Sequence, residues 1–345
     1  VVFVGRVDSS EDILKLEKKF KADYIAIGRG LIADPDMVGK HLGQVSGSIA
    51  PCMACAEGCL GGVRGGKGLH CLVNPQVGDA EIAIPKAEQS KRYAVVGGGL
   101  AGMEAAIILS ERGHLVDLFE KQQLGGQFNL APLTPHKTAM AALVPYLEER
   151  LQETGVSVLH EEATPDKLLG RYDAVLLATG SAPTIPAIEG LTTYSWAEIL
   201  LPENLPEGKH ILIIGGGLIG VDIATALIPR NNRVTIVKRT EDFGEDMELI
   251  AKNLSLKMMK EKQVFMSDHT HITRVEERTV HALRDGEPMH FDEVDLIVVS
   301  AGMQSYNPLE GALQDKLPLY VIGDARTVGK AQDAIADGYR TALTL

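Results

Sequence analysis

Four cysteines, Cys52, Cys55, Cys59 and Cys71, lie between Pro51 and Pro75, and the remainder of the 345 residues contains no other. Their spacing is C-x2-C-x3-C-x11-C. Thiolates are soft donors that select zinc or iron–sulfur centres. Structural zinc sites favour two separated C-x2-C knuckles. Three cysteines in one short stretch plus a distant fourth fit an iron–sulfur cluster better. The glycine-rich run Gly61 to Gly68 lets backbone wrap such a centre and aim N–H groups at its sulfurs. Iron–sulfur ranks first on spacing, with zinc and a pair of disulfides as the alternatives.

A second chemistry follows. Tyr93 to Val96 is an apolar run entering Gly97-x-Gly99-x-x-Gly102, then a helical stretch, then a second apolar run ending at Glu120. In that context the glycines serve a tight turn, close approach of backbone to a pyrophosphate at a helix N-terminus, and helix–strand packing. Glu120 is placed to accept hydrogen bonds from a ribose. The pattern repeats without a gap at Gly215, Gly217 and Gly220, which predicts a second nucleotide site. There the second strand ends in Lys238 and Arg239 instead of an acid. Cations at that place suit a 2′-phosphate, so the reading leans to NADPH over NADH.

Shorter signals accompany the repeats. Asp173 to Gly180 reads DAVLLATG and Asp295 to Gly302 reads DLIVVSAG, strand–turn segments in parallel positions of the two halves. Leu319 to Asp324, LYVIGD, precedes a helical stretch. Its Asp is placed either to meet a flavin's ribityl or phosphate region or to serve as an ordinary N-cap.

The elements that must carry these residues are α/β throughout. Residues 1 to 42 read as two successive β-α units, with Gly5-Arg6 and Gly28-Arg29 at the strand ends, where Arg can meet an anion. A polar linker runs from about Gln76 to Lys91. The 36 glycines and 5% aromatics suit nucleotide-binding α/β proteins. A net charge of -12 argues against nucleic acid, and no polybasic run suggests an anionic membrane. The apolar window Ile211 to Ile228 contains three glycines and Asp222, which fits strand, turn and helix better than a membrane span. No targeting segment is visible, and the expected compartment is the cytoplasm.

With these motifs the chain resembles the C-terminal part of the family containing bacterial 2,4-dienoyl-CoA reductase, trimethylamine dehydrogenase and related NADH:flavin oxidoreductases, the Old Yellow Enzyme-like iron–sulfur flavoproteins. The resemblance covers essentially the whole chain. It implies the last two β-α units of an FMN-binding TIM barrel (1–48), a [4Fe-4S] segment with linker (49–90), a split FAD-binding domain (91–200 and 303–345) and an NAD(P)H-binding domain (201–302). The two nucleotide domains would be Rossmann-like, of the glutathione-reductase type. Cys52, Cys55, Cys59 and Cys71 match the cluster ligands. Gly97, Gly99, Gly102, Glu120, Gly126, Gln127, Thr179, Gly180, Gly323 and Asp324 match the FAD site. Gly215, Gly217 and Gly220 match the NAD(P)H site, and Arg6, Gly28 and Arg29 the hold on the FMN phosphate.

Barrel strands that would carry the substrate-binding and proton-donating residues are absent, so catalytic residues are expected upstream of Val1. Taken alone, residues 1 to 42 lack most of their packing partners and are expected to be disordered or rearranged. The implied function is an electron relay from NAD(P)H to FAD to [4Fe-4S] to FMN, acting on a small-molecule enoyl or enoate-type acceptor. The alternative is an amine-dehydrogenase-like protein whose first nucleotide site holds ADP and whose cluster passes electrons to a partner flavoprotein. A thioredoxin-reductase type of chemistry is rejected, because no cysteine follows Cys71.

Overall fold

A computed structural model describes residues 1–78 and 83–345. Residues 79–82 of the linker lie outside the described residues. The chain forms two compact units. The first comprises Val1–Asn129, Ala139–Ser181 and Ser305–Leu345; the second comprises Leu130–Thr138 and Ala182–Gln304. The sequence reading puts the corresponding boundaries at 200/201 and 302/303 and sets residues 1–90 apart from the FAD-binding domain.

In the first unit a five-stranded parallel sheet runs in the order Leu319–Val321, Ala174–Leu177, Arg92–Val96, Leu115–Phe119, Ser157–Leu159. The central Arg92–Val96 strand is buried from Tyr93 onward, which is why it reads as a continuous apolar run and not as an alternation. The Leu100–Glu111 helix that follows is buried along most of its length. Its small residues permit this: a Cβ on Gly338 of the Ala331–Leu343 helix would lie 2.3 Å from the Ala101 carbonyl oxygen.

That burial encloses Glu104, which is 1% exposed. Arg150, on the Leu143–Thr154 helix, donates to Glu104 at 3.0 Å and to Glu111 at 2.9 Å. Burial pushes the Glu104 carboxyl up while Arg150 pulls it back, and the two carboxylates hold the guanidinium charged. Arg150→Met should cost about 3–5 kcal/mol, because it leaves a buried carboxylate without its cation. In that variant the Glu104 pKa lies above its unfolded value, so the native state keeps a proton the unfolded state releases. Stability should therefore fall as pH rises above roughly 4.3. Chemical denaturation across pH checks both, and adding Glu104→Gln should recover much of the loss. A cost below about 1 kcal/mol would show that the pair is not needed for packing.

Residues 1 to 42 form the two successive β-α units that their pattern implies, where disorder or rearrangement is the expectation for the segment taken alone. Val2–Val4 pairs in parallel with Tyr24–Ala26, and the Ser10–Lys18 helix joins them. Ser9 Oγ caps that helix by accepting the Asp12 N–H at 3.1 Å. Val7, Ile13, Leu16 and Met37 form a small core of their own, which is the reason the segment holds together. Val2, Val4 and Tyr24 remain largely exposed.

The second unit repeats the design. Its parallel sheet runs Phe265–Ser267, Arg233–Val237, His210–Ile214, Leu296–Val299. One face packs on the Leu218–Leu227 helix through Ile211, Ile213, Val221 and Ala224. The other meets an antiparallel sheet, Thr270–Glu276, Thr279–Arg284 and Glu287–Phe291, through Leu212, Val237, Val280 and Phe291. The apolar window Ile211 to Ile228 is thus strand, turn and helix. Asp222 within it is paired to Lys137 at 2.5 Å. Among the described residues no helix is long and apolar enough to cross a membrane.

Candidate functional site

All four cysteines line one small pocket, together with Arg29 and His70. All four are free thiols. The backbone bends sharply to turn them inward. Ala54 (φ 52°) and Ala56 (φ 60°) bracket Cys55 in the left-handed region. Such conformations cost about 1–3 kcal/mol each for a side-chain-bearing residue and cluster at ligand sites. A π-helical turn, Glu57–Gly61, then carries Cys59. Burial pushes the Cys55 thiol up to about 12, helped by neighbouring Cys71, Glu57 and Cys59, and raises Cys71 in the same way. These sulfurs share one low-dielectric space, where their thiolates repel one another unless a cation lies between them. Among the described residues no three His, Cys, Asp or Glu side chains already converge as a metal site; the thiols share a cavity and not a point. In number, softness and common cavity the donor set fits a cluster.

The first dinucleotide loop has the steric signature its glycines imply. Gly97 stands at φ 107°, and a Cβ there would lie 2.3 Å from the Ala178 carbonyl oxygen. A Cβ on Gly102 would lie 1.9 Å from the Gly97 carbonyl oxygen. At Gly99 a Cβ would meet nothing within 4 Å, and this open space lies at the N-terminus of the Leu100–Glu111 helix. Helix N–H groups facing open space make an anion site. Glu120 accepts the Gly98 N–H at 2.7 Å and the Gln122 N–H at 2.7 Å. A carboxylate has about four acceptor positions, so capacity remains for ribose hydroxyls.

The other flavin-motif residues gather around this loop. Gly125 N–H donates to the Gly98 carbonyl at 2.8 Å, which sets Gly126 and Gln127 beside it. Gln127 Nε2 donates to the Ser181 carbonyl at 2.7 Å. Thr179 Oγ1 donates to the Tyr306 carbonyl at 2.6 Å, and Gly180 stands at φ 78°. Asp324 accepts from Ser181 Oγ at 2.9 Å and from the Gly329 N–H at 3.1 Å, while the Gly323 N–H is held by Asp337 at 2.7 Å. Ser181 is a polar neighbour of Asp324 that the sequence reading missed. It follows Thr179-Gly180 directly, and only tertiary pairing reveals it.

The second loop reproduces the first nearly atom for atom. A Cβ on Gly215 would lie 2.2 Å from the Ser300 carbonyl oxygen, one on Gly220 would lie 1.9 Å from the Gly215 carbonyl oxygen, and one on Gly217 would meet nothing within 4 Å. Lys238 is 10% exposed and paired with Glu245 at 2.9 Å, and it donates to the Asp242 carbonyl at 2.6 Å. Arg239 is exposed.

Of the residues matched to an FMN phosphate, Arg6 is turned to Asp8 and to the Cys52 carbonyl at 3.4 Å. Arg29 lines the cysteine cavity. Gly28 has open space around its Cα.

Residues 91–325 match the family described as pyridine nucleotide-disulphide oxidoreductase. The chain belongs to this family. It is 33% identical to an NADH oxidase of Thermoanaerobacter brockii, over 99% of this chain and 55% of that protein. It is 32% identical to a cinnamate reductase of Clostridium sporogenes, over 100% of this chain and 53% of that protein. Among solved structures, a 2-naphthoyl-CoA reductase complex with 2-naphthoyl-CoA superposes with a TM-score of 0.90 at 27% identity, covering 100% of this chain and 54% of that one. The chain spans about half the length of the relatives it matches. The resemblance to the flavin and nicotinamide domains of the 2,4-dienoyl-CoA reductase and Old Yellow Enzyme-like proteins holds, and the matched region supports FAD and NAD(P)H as cofactors. The disulphide of the family's description has no counterpart, since residues 91–325 contain no cysteine.

Proposed function

We propose that this chain is the electron-input part of a reductase that carries electrons from NAD(P)H, by way of FAD and a [4Fe-4S] centre, to FMN and an enoyl or enoate-type acceptor. The observation that carries this reading is the location of the sulfur. Four thiols share one cavity in the same compact unit as the first dinucleotide fold, and the matched nucleotide region has none. Bound flavin supplies the exchange between two-electron nicotinamide and one-electron carriers. The chain's own residues bind and orient. Gly97, Gly99 and Gly102 hold the first pyrophosphate at the Leu100–Glu111 helix, and Glu120 takes the ribose. Asp324, with Ser181, Gly323, Gly126, Gln127, Thr179 and Gly180, surrounds the rest of the flavin. Gly215, Gly217 and Gly220 receive the nicotinamide nucleotide. Cys52, Cys55, Cys59 and Cys71 are the cluster ligands, and Arg6, Gly28 and Arg29 hold the FMN phosphate in the whole protein.

Glu245 balances the charge on Lys238, so preference for a 2′-phosphate rests on Arg239. A modest NADPH preference is expected, lost in Arg239→Ala. The test is anaerobic purification of the whole polypeptide, then assay of iron, acid-labile sulfide, FAD and FMN and comparison of NADPH and NADH oxidation. Iron and sulfide with both flavins support the relay. ADP in place of FAD turns the reading to the amine-dehydrogenase-like alternative. An NADH preference above about tenfold removes the role given to Arg239.

A further inference from the structure

Glu57 opens the π-helical turn between Cys55 and Cys59, and it forms an ion pair with Lys330 at 2.8 Å. Lys330 is the N-cap of the Ala331–Leu343 helix, directly after Gly329, whose N–H is held by Asp324. The same turn touches that helix a second time. A Cβ on Gly58 would lie 2.5 Å from Gln332 Oε1 and 2.6 Å from the His70 carbonyl, and the His70 N–H donates to the Gly58 carbonyl at 3.0 Å. The turn is thus wedged between the helix that follows the flavin motif and the segment carrying Cys71. Glu57 and Lys330 are 25% and 41% exposed, so the pair itself is only partly shielded from solvent.

We propose that Glu57 and Lys330 are positioning residues that clamp the cysteine turn onto the flavin-motif helix and, through their opposite charges, set how readily the centre in the cysteine cavity is reduced. The charge half rests on the cluster reading above; the clamp half does not. Reduction adds negative charge beside the pair. Lys330 favours it and Glu57 opposes it. Lys330→Met should therefore make reduction harder, and Glu57→Gln should make it easier. About threefold each way in the reduction equilibrium is expected, ~28 mV for one electron. The exchange Glu57→Lys with Lys330→Glu restores the pair and should bring both properties back toward wild type.

The experiment uses the whole polypeptide, wild type and these variants. Iron and acid-labile sulfide are assayed first, then the cluster midpoint by redox titration followed by electron paramagnetic resonance. Independently, an arginine-specific protease probes Arg64, exposed in the cysteine loop. Faster cleavage at Arg64 in both single variants, restored in the exchange, supports the clamp, and unchanged cleavage overturns it. Midpoint shifts of opposite sign support the charge role. Shifts of one sign, or none, with iron retained overturn that role, because structural damage alone does not depend on which charge is removed. Absence of iron and sulfide in wild type overturns the cluster reading and the charge half together, and cleavage then decides the clamp alone.

Discussion

Gly99→Val gives a folded protein that purifies without FAD. The expectation rests on a contrast within one loop. At Gly97 and Gly102 a Cβ would collide with backbone oxygens at 2.3 Å and 1.9 Å, so substitution there disturbs the fold and reports nothing specific. At Gly99 a Cβ meets nothing within 4 Å, and its φ of -73° is open to any residue. The protein tolerates the side chain, whereas a pyrophosphate against the helix N-terminus does not. Loss of flavin affinity by at least about 100-fold is expected, with far-ultraviolet circular dichroism unchanged from the wild-type protein stripped of flavin. Gly217 has the same open space at the second helix, with φ of -75°. Gly217→Val should keep its flavin and lose the reduction of that flavin by NAD(P)H, while reduction by dithionite remains. If Gly99→Val retains flavin, or Gly217→Val loses it, the assignment of the two loops is reversed or wrong.

These loops were legible in the sequence because their constraints are local. The distance from a Gly102 Cβ to the Gly97 oxygen and that from a Gly220 Cβ to the Gly215 oxygen are both 1.9 Å, and a short spacing along the chain encodes each. That the four cysteines face one pocket was legible for a related reason, since they lie in one short stretch of chain. What escaped depends on distant pairing. Glu57 and Lys330 are 273 positions apart, and neither belongs to a pattern. Arg150 and Glu104 read as ordinary charges on helices, and only the packing of the Leu143–Thr154 helix against the Leu100–Glu111 helix brings them together. Ala54 and Ala56 resist reading because alanine ordinarily favours right-handed helix, so their left-handed backbone is imposed by the turn around Cys55. Residues 130–138 fall between two segments of the first unit yet belong to the second, and nothing in their composition says so.

The cysteines carry the remaining large effect. Cys55→Ser and Cys59→Ser should each remove most of the iron and sulfide from the whole polypeptide, while FAD content and its reduction by NAD(P)H stay near wild type. The nucleotide loops lie outside the cysteine segment and contain no cysteine. Electron delivery beyond FAD should fall by at least about 100-fold, more than second-sphere changes at metal sites cost. The alternatives give other results. A zinc site would leave visible absorption due to flavin alone, and serine would release zinc without altering electron delivery. A pair of disulfides would leave wild type with no titratable thiol after unfolding, where these four free thiols predict four once any metal is removed. A family-type disulphide exchange would need a cysteine pair within residues 91–325, and the nearest thiol precedes that stretch at Cys71. Serine variants that keep iron, or that keep delivery without it, would remove the cysteine cavity from the path of the electrons.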